Sequence, residues 1–301
     1  MPLLNEFPKT WDNSMRSMGR DCPRKLFFFL NGFEPKTSKA YFVWGSAWHL
    51  MMDKWYSSTS DSKEKVLEAI GEGVAYFDDN ITEESTDNTR DGLITAFRYY
   101  IERYETDPFK LIEGASEQGF TWPLLTTDYF YAGSMDGYIE WPSYGFLVLE
   151  HKTTSEYLSD SFIGQWEFSP QVTGYHWYLS KIHEDTYGVL VNMITKKTPG
   201  PKSNWSTPRV ARTLIRKTES DLKEFEEDVI RDINYFKSCY ETKTWPKTTN
   251  PRNCVGGPGR GACPFKRICL TQCDYHNVDI SLYDNLKIRE EAWKPWQRGK
   301  D

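Results

Sequence analysis

The chain has 301 residues, of which 39% are hydrophobic and 27% are charged. These values are typical of a folded globular chain and exclude wholesale disorder. The net charge of -6 argues against a protein that coats nucleic acid nonspecifically, because phosphate binding rewards lysine and arginine. Aromatic residues make up 16% of the chain, a surplus that suits a core, a stacking surface for bases, or both.

The sequence contains no pattern of a membrane span or a secretory signal. Its longest apolar run, 26–30, is much shorter than the roughly 20 residues that a bilayer span requires. The first residues lack a basic start followed by an apolar stretch. We therefore expect a cytoplasmic protein without a membrane partner, in which the six cysteines are thiols or metal ligands rather than disulfides.

The first third of the chain is predicted to be helical. Because proline is tolerated in the first turn of a helix but not in its interior, a break is expected at Cys22–Pro23, which places Cys22 at a helix start. Apolar residues recur at helical spacing in the segments that follow. The predicted helices cover 10–30, 39–56, 62–78 and 87–104.

From residue 109 the pattern changes to alternating aromatic and β-branched segments, which indicate strands. A helix, two further strands and an acidic amphipathic helix are expected to follow. The order of helices, sheet, helix, sheet and helix predicts an α/β fold with a mixed sheet. The strands are predicted at 109–117, 119–125, 128–141, 145–153, 186–196 and 207–216, and the helices at 158–182 and 219–240.

The segment after Trp245 is rich in proline, glycine and asparagine and contains four cysteines between residues 254 and 273. A loop this long needs something to order it, and a bound metal is the obvious candidate. Residues 279–301 are polar and are expected to form a short helix or a tail.

The strongest local pattern is a predicted hairpin over 132–155, with its turn near Pro142. Asp136 and Glu150 are equally far from Ser143, so a hairpin centred there would place them opposite each other. Side chains alternate along a strand, so Glu150 and Lys152 share a face while His151 points away. The alternative is a surface hairpin that carries an ordinary Glu/Lys pair on its polar face.

Two adjacent carboxylates repel each other unless a cation lies between them, and their hard oxygen ligands suit Mg²⁺ or Mn²⁺. Such a metal lowers the pKa of a bound water, while a neighbouring lysine stabilises developing charge. Since 146–150 is a nearly continuous apolar run, Glu150 and Lys152 are expected to end a buried strand. The arrangement predicts phosphodiester hydrolysis.

These residues resemble the PD-(D/E)XK nuclease superfamily, and within it the RecB-type branch that includes CRISPR adaptation nucleases, AddB-like nucleases and phage exonucleases. Asp136 in GSMDG resembles the metal-binding aspartate, and Glu150-His151-Lys152 resembles the E-x-K element with its catalytic lysine. The resemblance implies a restriction-endonuclease-like α/β fold. Its mixed central sheet is flanked by helices, with a helical N-terminal part and a C-terminal region stapled by an iron-sulfur cluster.

Two further elements resemble that branch. The segment 45–49 is similar to its G-x-x-x-H element, whose histidine, here His49, is a metal ligand. The segment 171–175 is similar to its Q-x-x-x-Y element, which implies a role at the site for Gln171 and Tyr175. On the residues alone, His49 also fits a core position, and the other two also fit a packing face of a helix. Glu117, in a preceding strand, is a further candidate to approach the site.

The cysteine pattern resembles that of the iron-sulfur members of the branch. The resemblance implies a [4Fe-4S] cluster bound by Cys22, Cys254, Cys263 and Cys269, with Cys273 as a competitor of Cys254. Four thiolates also bind structural zinc, but the paired C-x-x-C knuckles common in zinc sites do not occur here. Cys239 lies outside this pattern and is expected to be an ordinary thiol.

The resemblance covers most of the chain and implies a single nuclease domain over 1–278. Its expected parts are a helical part at 8–106, a nuclease core at 107–217 and a C-terminal helix with the cysteine region at 218–278, before a tail at 279–301. Despite the acidic net charge, basic residues between 196 and 217 are candidates to line a DNA channel. They are Lys196, Lys197, Lys202, Arg209, Arg212, Arg216 and Lys217.

The function implied is a metal-dependent DNA nuclease, an exonuclease acting on single-stranded DNA or DNA ends, in recombination, repair or phage DNA metabolism. If the chain is phage-encoded, its compartment is the host cytoplasm. The sequence has no P-loop, so unwinding would come from a helicase or recombination partner. The alternative is a noncatalytic module that retains the nuclease fold and binds DNA or a protein partner.

Overall fold

The computed structural model describes residues 4, 6–36, 39–82, 85, 87–196, 210–257, 261–272 and 274–297. The chain forms two compact units. The first comprises Met1–Thr37, Thr121–Gly133 and Glu226–Pro295, and the second comprises Ser38–Phe120, Ser134–Phe225 and Trp296–Asp301. In the described part of the chain, no helix is both long and apolar enough to cross a membrane.

Three consecutive helices begin the second unit: α3 (Ala40–Ser57), α4 (Ser62–Asn80) and α5 (Arg90–Arg103). Helix α4 begins where Asp61 accepts hydrogen bonds from the backbone N–H groups of Lys63 and Glu64, as expected of a capping aspartate. The apolar faces of the three helices bury one cluster, in which Trp44 and Trp48 stack at 5.8 Å. Gly73 lets α3 and α4 approach closely, because a Cβ there would lie 2.8 Å from the Ala47 carbonyl oxygen.

The sheet of the second unit is mixed. Strand β4 (Phe130–Trp141) pairs with β3 (Lys110–Pro123) and, in antiparallel fashion, with β5 (Gly145–Thr154). Strand β5 pairs in parallel with β6 (Thr186–Thr195), which pairs antiparallel with β7 (Val210–Ile215).

A parallel pair needs a crossover connection, usually helical. Here α6 (Asp160–Gly164), the 3₁₀ helix Gln165–Phe168 and α7 (Pro170–Ile182) connect β5 to β6.

Helices cover both faces of this sheet. Lys152 on β5 contacts α7, whereas the preceding residue, His151, lies on the other face and stacks on Tyr56 of α3. On the same face as His151, Asn192 of β6 bonds Tyr100 of α5. The predicted α/β fold with a mixed central sheet flanked by helices is therefore confirmed.

The first unit begins with β1 (Thr10–Asp12), α1 (Asn13–Asp21), α2 (Pro23–Leu30) and β2 (Phe33–Pro35). It also contains the greater part of α8 (Glu219–Glu241), followed by α9 (Arg252–Val255), α10 (Lys266–Thr271) and β8 (Leu286–Ile288). Trp11 is fully buried and stacks on Phe236 of α8 at 5.6 Å. This stacking packs the N-terminal segment against α8.

Several predicted elements differ from those observed. Residues Thr10–Asp12 form a strand, not the start of a helix, and pair in parallel with Phe130–Ala132. The helix begins only after Asp12, whose side chain accepts from the Met15 N–H and caps α1. The predicted tail contains β8, which pairs antiparallel with β2.

The helix predicted at 158–182 is broken by Pro170. Proline disfavours helical geometry in the residue before it, and Ser169 is extended there, where it caps α7. The two strands predicted over 109–125 are one, β3. The last predicted strand begins at Val210, and residues 207–209 lie outside the described chain.

Candidate active site

The hairpin of β4 and β5 carries the acidic pair and the lysine. Its register pairs Gly137 with Leu149 and Trp141 with Gly145, so the hairpin is centred on Ser143 as the sequence predicts. Asp136 and Glu150 are the next residues beyond the Gly137–Leu149 pair. The Asp136 carboxylate accepts the His151 backbone N–H at 2.6 Å, which fixes it against β5.

His49 reaches the hairpin from α3. Its Nδ1 lies 3.1 Å from Asp136 Oδ1 and 3.5 Å from Glu117 Oε1. One potential ligand atom from each of these three side chains lies within 4.8 Å of the others, a spacing compatible with one metal ion. One nitrogen and two carboxylate oxygens form a donor set that suits Mn²⁺ or Mg²⁺.

Glu117 has an unusual backbone conformation. Its φ is 48°, in the left-handed region that non-glycine residues rarely occupy. Such strained residues concentrate at functional sites, where the surrounding structure enforces them. From sequence, Glu117 is only a candidate to approach the site, because alternation along a strand does not reveal an irregularity of this kind.

The charges of the group are strongly interdependent. Burial lowers the pKa of His49, but the bonded carboxylates of Asp136 and Glu117 outweigh it and raise that pKa to about 10. Burial likewise disfavours the charge on Asp136, yet His49 holds the pKa of this carboxyl below its usual value. Burial raises the pKa of Glu117. The three groups therefore form a tight cluster of opposite charges.

Glu150 is buried and lies beside Lys152, whose Nζ contacts its Oε1. Its second oxygen, Oε2, is buried and accepts no hydrogen bond from any described residue. Burial and the negative charge of Asp136 raise the pKa of Glu150 to about 7. A buried carboxylate oxygen without a partner costs free energy unless a cation or donor binds it, so the residues present fit a divalent metal.

Lys152 is held by the helix that follows. Its Nζ donates to Gln171 Oε1 at 2.8 Å, and Gln171 Nε2 donates to the Tyr175 hydroxyl at 2.8 Å. The Tyr175 hydroxyl in turn donates to the carbonyl oxygen of Ser134 at 2.7 Å, on β4, the strand that carries Asp136. The side chains of Gln171 and Tyr175, one helical turn apart, therefore brace the lysine.

All six side chains predicted for the catalytic and metal groups lie in this one region of the second unit. The structure adds Glu117 to the group formed by His49 and Asp136. Glu150 lies outside this group and is contacted by Lys152. The catalytic or metal-binding role of each residue is a proposal.

A buried polar network lies behind the hairpin on the face of His151. Asn192 Nδ2 bonds His151 Nδ1 at 2.9 Å and the Tyr100 hydroxyl at 2.8 Å. Arg212 donates to Tyr100 at 2.7 Å and contacts Asp107. Nothing in the sequence pattern marks this network, because its members come from four separate elements.

Two of the basic residues predicted to line a DNA channel are interior instead. Arg212 is enclosed in the network just described, and its side chain is 13% exposed. Lys196 is buried and donates to the Tyr41 carbonyl oxygen and to Asn88 Oδ1. Lys197, Lys202 and Arg209 lie outside the described residues.

The four cysteines of the predicted cluster line one cavity of about 110 Å³ in the first unit. Cys22 lies between α1 and α2, and the others lie on or near α9 and α10: Cys254, Cys263 and Cys269. They do not form a group as close as the 4.8 Å one around His49. Cys273 lies outside the described residues, and Cys239 is buried on α8.

The thiols of this cavity lie in an apolar setting. Burial raises the pKa of Cys269 to about 11 and raises that of Cys263 as well. Thiols are poor metal ligands until they lose the proton, so binding of a cation there would be coupled to proton release. Four sulfur ligands in one site are typical of an iron-sulfur cluster or of structural zinc.

Comparison with known proteins assigns the family. The model of the PD-(D/E)XK nuclease superfamily matches residues 17–270. The structure is similar to that of a protein from Eubacterium rectale described as a candidate exonuclease, with a TM-score of 0.52 and 15% identity over 93% of this chain and 94% of that one.

A second solved structure, SSO0001, has 13% identity over 75% of this chain and 77% of that one, and its TM-score of 0.32 supports no argument. No curated protein matches the sequence. Since the family model spans most of the chain, including the hairpin, α3 and α7, the chain belongs to the PD-(D/E)XK nuclease superfamily.

Proposed function

We propose that the chain is a metal-dependent deoxyribonuclease that hydrolyses phosphodiester bonds in single-stranded DNA or at DNA ends. The observation that carries this proposal is the convergence of His49, Glu117 and Asp136 within 4.8 Å, beside a buried Glu150 oxygen without a partner. A buried carboxylate oxygen without a partner is costly, and a bound cation would offset that cost.

Each residue of the site has a proposed role. His49, Glu117 and Asp136 would bind the cation, and Glu150 would join them through its partnerless oxygen. A bound Mn²⁺ or Mg²⁺ would lower the pKa of a coordinated water and offset charge on the phosphate. Lys152 orients the attacking water or stabilises the charge that develops on the phosphate oxygens.

Gln171 and Tyr175 position the lysine rather than take part in bond making. The chain of hydrogen bonds from Lys152 through Gln171 and Tyr175 to the Ser134 carbonyl holds the ammonium group near the carboxylates. Preorganised charge of this kind accelerates reactions because it does not have to reorganise in the transition state.

The first experiment is a cleavage assay of the whole chain, purified without air. End-labelled single- and double-stranded DNA is incubated with Mn²⁺, Mg²⁺ or EDTA. We expect cleavage with either metal and none with EDTA, and shortening from the ends if the enzyme is an exonuclease. Tight DNA binding without cleavage under any of these conditions would favour the noncatalytic module instead.

We further propose membership of the RecB-type branch, in which the histidine of the G-x-x-x-H element binds metal. The position of His49 beside Asp136 supports this. The role in recombination, repair or phage DNA metabolism, with a helicase or recombination partner in the cytoplasm, belongs to the same proposal.

We also propose that Cys22, Cys254, Cys263 and Cys269 bind a [4Fe-4S] cluster, with zinc as the alternative. Their shared cavity supports the proposal. Such a cluster would join the α1–α2 junction to the α9–α10 segment and stabilise the fold, since metal binding free energy becomes folding free energy.

Replacing Cys22 with serine is expected to remove the cluster and to lower the melting temperature. Iron and sulfide analysis and visible absorbance of the anaerobic protein measure the first effect, and thermal unfolding measures the second. The matched control is Cys239→Ser, a buried cysteine on α8 that should retain the iron. Zinc without iron in the wild-type chain would assign the site to structural zinc.

A further inference from the structure

The segment 157–168, between β5 and α7, exposes large aromatic side chains. Phe168 is 83% exposed and Tyr157 is 48% exposed, while Trp166 between them is half-buried. A single exposed apolar residue is ordinary, but several in one short segment mark a surface that contacts a ligand or partner. This segment includes α6 and the 3₁₀ helix Gln165–Phe168.

The segment is attached to the candidate active site through Trp166. Lys152 Nζ lies 5.3 Å from the centroid of the Trp166 ring, which is cation-π distance. The same ammonium group contacts Glu150 and is bonded to Gln171. The indole therefore borders the point at which a phosphate would meet the lysine.

One contact inside the segment orders Trp166, and one contact from outside it restrains the segment. Phe162 packs edge-on against Trp166, with ring centroids 6.4 Å apart. Lys217 contacts the carbonyl oxygen of Glu167. The indole Nε1 of Trp166 is itself buried and donates to no described residue, although buried tryptophan N–H groups usually find an acceptor.

The position of the ring suggests the kind of ligand. A phosphate that contacts Lys152 brings the sugar and base of its own or the next nucleotide close to that ammonium group, and the centroid of the Trp166 ring lies 5.3 Å from the same group. Inside a duplex both faces of a base are covered by its stacked neighbours, so such a base can stack on an indole or phenyl ring only when it is unpaired or extruded.

We propose that Trp166 and Phe168 form a stacking platform for an unpaired base next to the scissile phosphate. The platform makes the site select single-stranded nucleic acid, and admits a duplex only where its end has frayed. This inference rests on the proposed nuclease function and adds to it the residues that determine strand specificity.

The test separates binding from cleavage. Affinity for a fluorescently labelled single-stranded oligonucleotide is measured in EDTA, and compared with that for the same strand carrying stable abasic sites. Phe168→Ala removes a side chain that is 83% exposed and should therefore leave folding intact. The companion variants are Trp166→Ala, Trp166→Phe and, as a matched control, Tyr235→Ala, which removes a 49% exposed aromatic ring from α8.

We expect Phe168→Ala and Trp166→Ala each to weaken binding of the normal strand about tenfold, the loss typical of one stacking partner. Their affinity for the abasic strand should equal that of the wild type. Trp166→Phe should restore most of the binding, and Tyr235→Ala should resemble the wild type.

In the cleavage assay Phe168→Ala should raise KM for single-stranded DNA about tenfold and leave kcat nearly unchanged.

If both alanine variants bind the normal strand as tightly as the wild type and keep metal-dependent cleavage, the platform is overturned and the nuclease proposal stands. A changed oligomeric state in Phe168→Ala, without a change in DNA affinity, would assign the aromatic surface to a protein partner. Absence of both binding and cleavage in the wild type would instead reject the nuclease proposal, and the platform with it.

Discussion

Cleavage of DNA by the Lys152→Ala variant is expected to fall about 10²–10³-fold, the loss typical of removing one preorganised group that stabilises developing charge. Lys152 is the ammonium group that contacts Glu150 and is held at 2.8 Å by Gln171. Lys152→Arg should not restore the rate, because a planar guanidinium does not reproduce the point charge of an ammonium group. Rates are measured on end-labelled DNA with saturating Mn²⁺.

The control is Lys223→Ala, which removes an exposed lysine on α8 and should leave the rate unchanged. Circular dichroism and unfolding of both variants show whether the fold is intact. A folded Lys152→Ala variant that cleaves at the wild-type rate would remove the lysine from the proposed chemistry, and would direct attention to the other groups of the site.

Replacing Arg212 with methionine is expected to lower the free energy of unfolding by about 3–5 kcal/mol, the usual cost of breaking one side of a buried ion pair. Its guanidinium contacts Asp107, bonds the Tyr100 hydroxyl at 2.7 Å and lies 3.5 Å from the centroid of the Tyr104 ring. Without it, Asp107 would retain a charge in a largely buried position. Urea unfolding with linear extrapolation measures the effect.

Arg231→Ala provides the matched comparison. Arg231 also pairs with an aspartate, Asp228, but its side chain is 73% exposed. Solvent screens such a pair, so this change should cost less than about 1 kcal/mol. Equal effects of the two substitutions would show that the network of Arg212 stabilises the unit no more than a surface pair does.

The Arg212 network also supports the site. It continues through Tyr100 and Asn192 to His151, whose backbone N–H is bonded to Asp136. Burial lowers the pKa of His151 to about 3, so its ring remains neutral and can accept the Asn192 amide. The network therefore braces from behind the strand that presents Glu150 and Lys152.

The sequence by itself determined the features that depend on neighbours along the chain. The alternation of residues over 132–155 predicted the hairpin, its centre at Ser143 and the shared face of Glu150 and Lys152. Gln171 and Tyr175 are four residues apart, which predicted that they lie on one face of a helix. These inferences succeed because strand and helix geometry fix which side chains share a face.

The pattern of apolar residues did not predict the helix boundaries that capping hydrogen bonds set. Asp12 caps α1 and so ends the preceding strand, and Ser169 with Pro170 starts α7 after a break. Both signals are present in the sequence. The apolar periodicity on either side, however, also fits a continuous helix, and only the observed hydrogen bonds distinguish the two.

Only the tertiary structure decided which distant groups meet. It brought His49 of α3 and Glu117 of β3 to Asp136. It placed Trp166 beside Lys152. It also enclosed Arg212 and Lys196, which the sequence suggested for a DNA channel. Such contacts depend on helix packing and on the left-handed backbone at Glu117, which no periodicity encodes. The sequence determined the chemistry of the hairpin, and packing determined the groups that surround it, because proximity between separate elements is set by burial of their apolar faces.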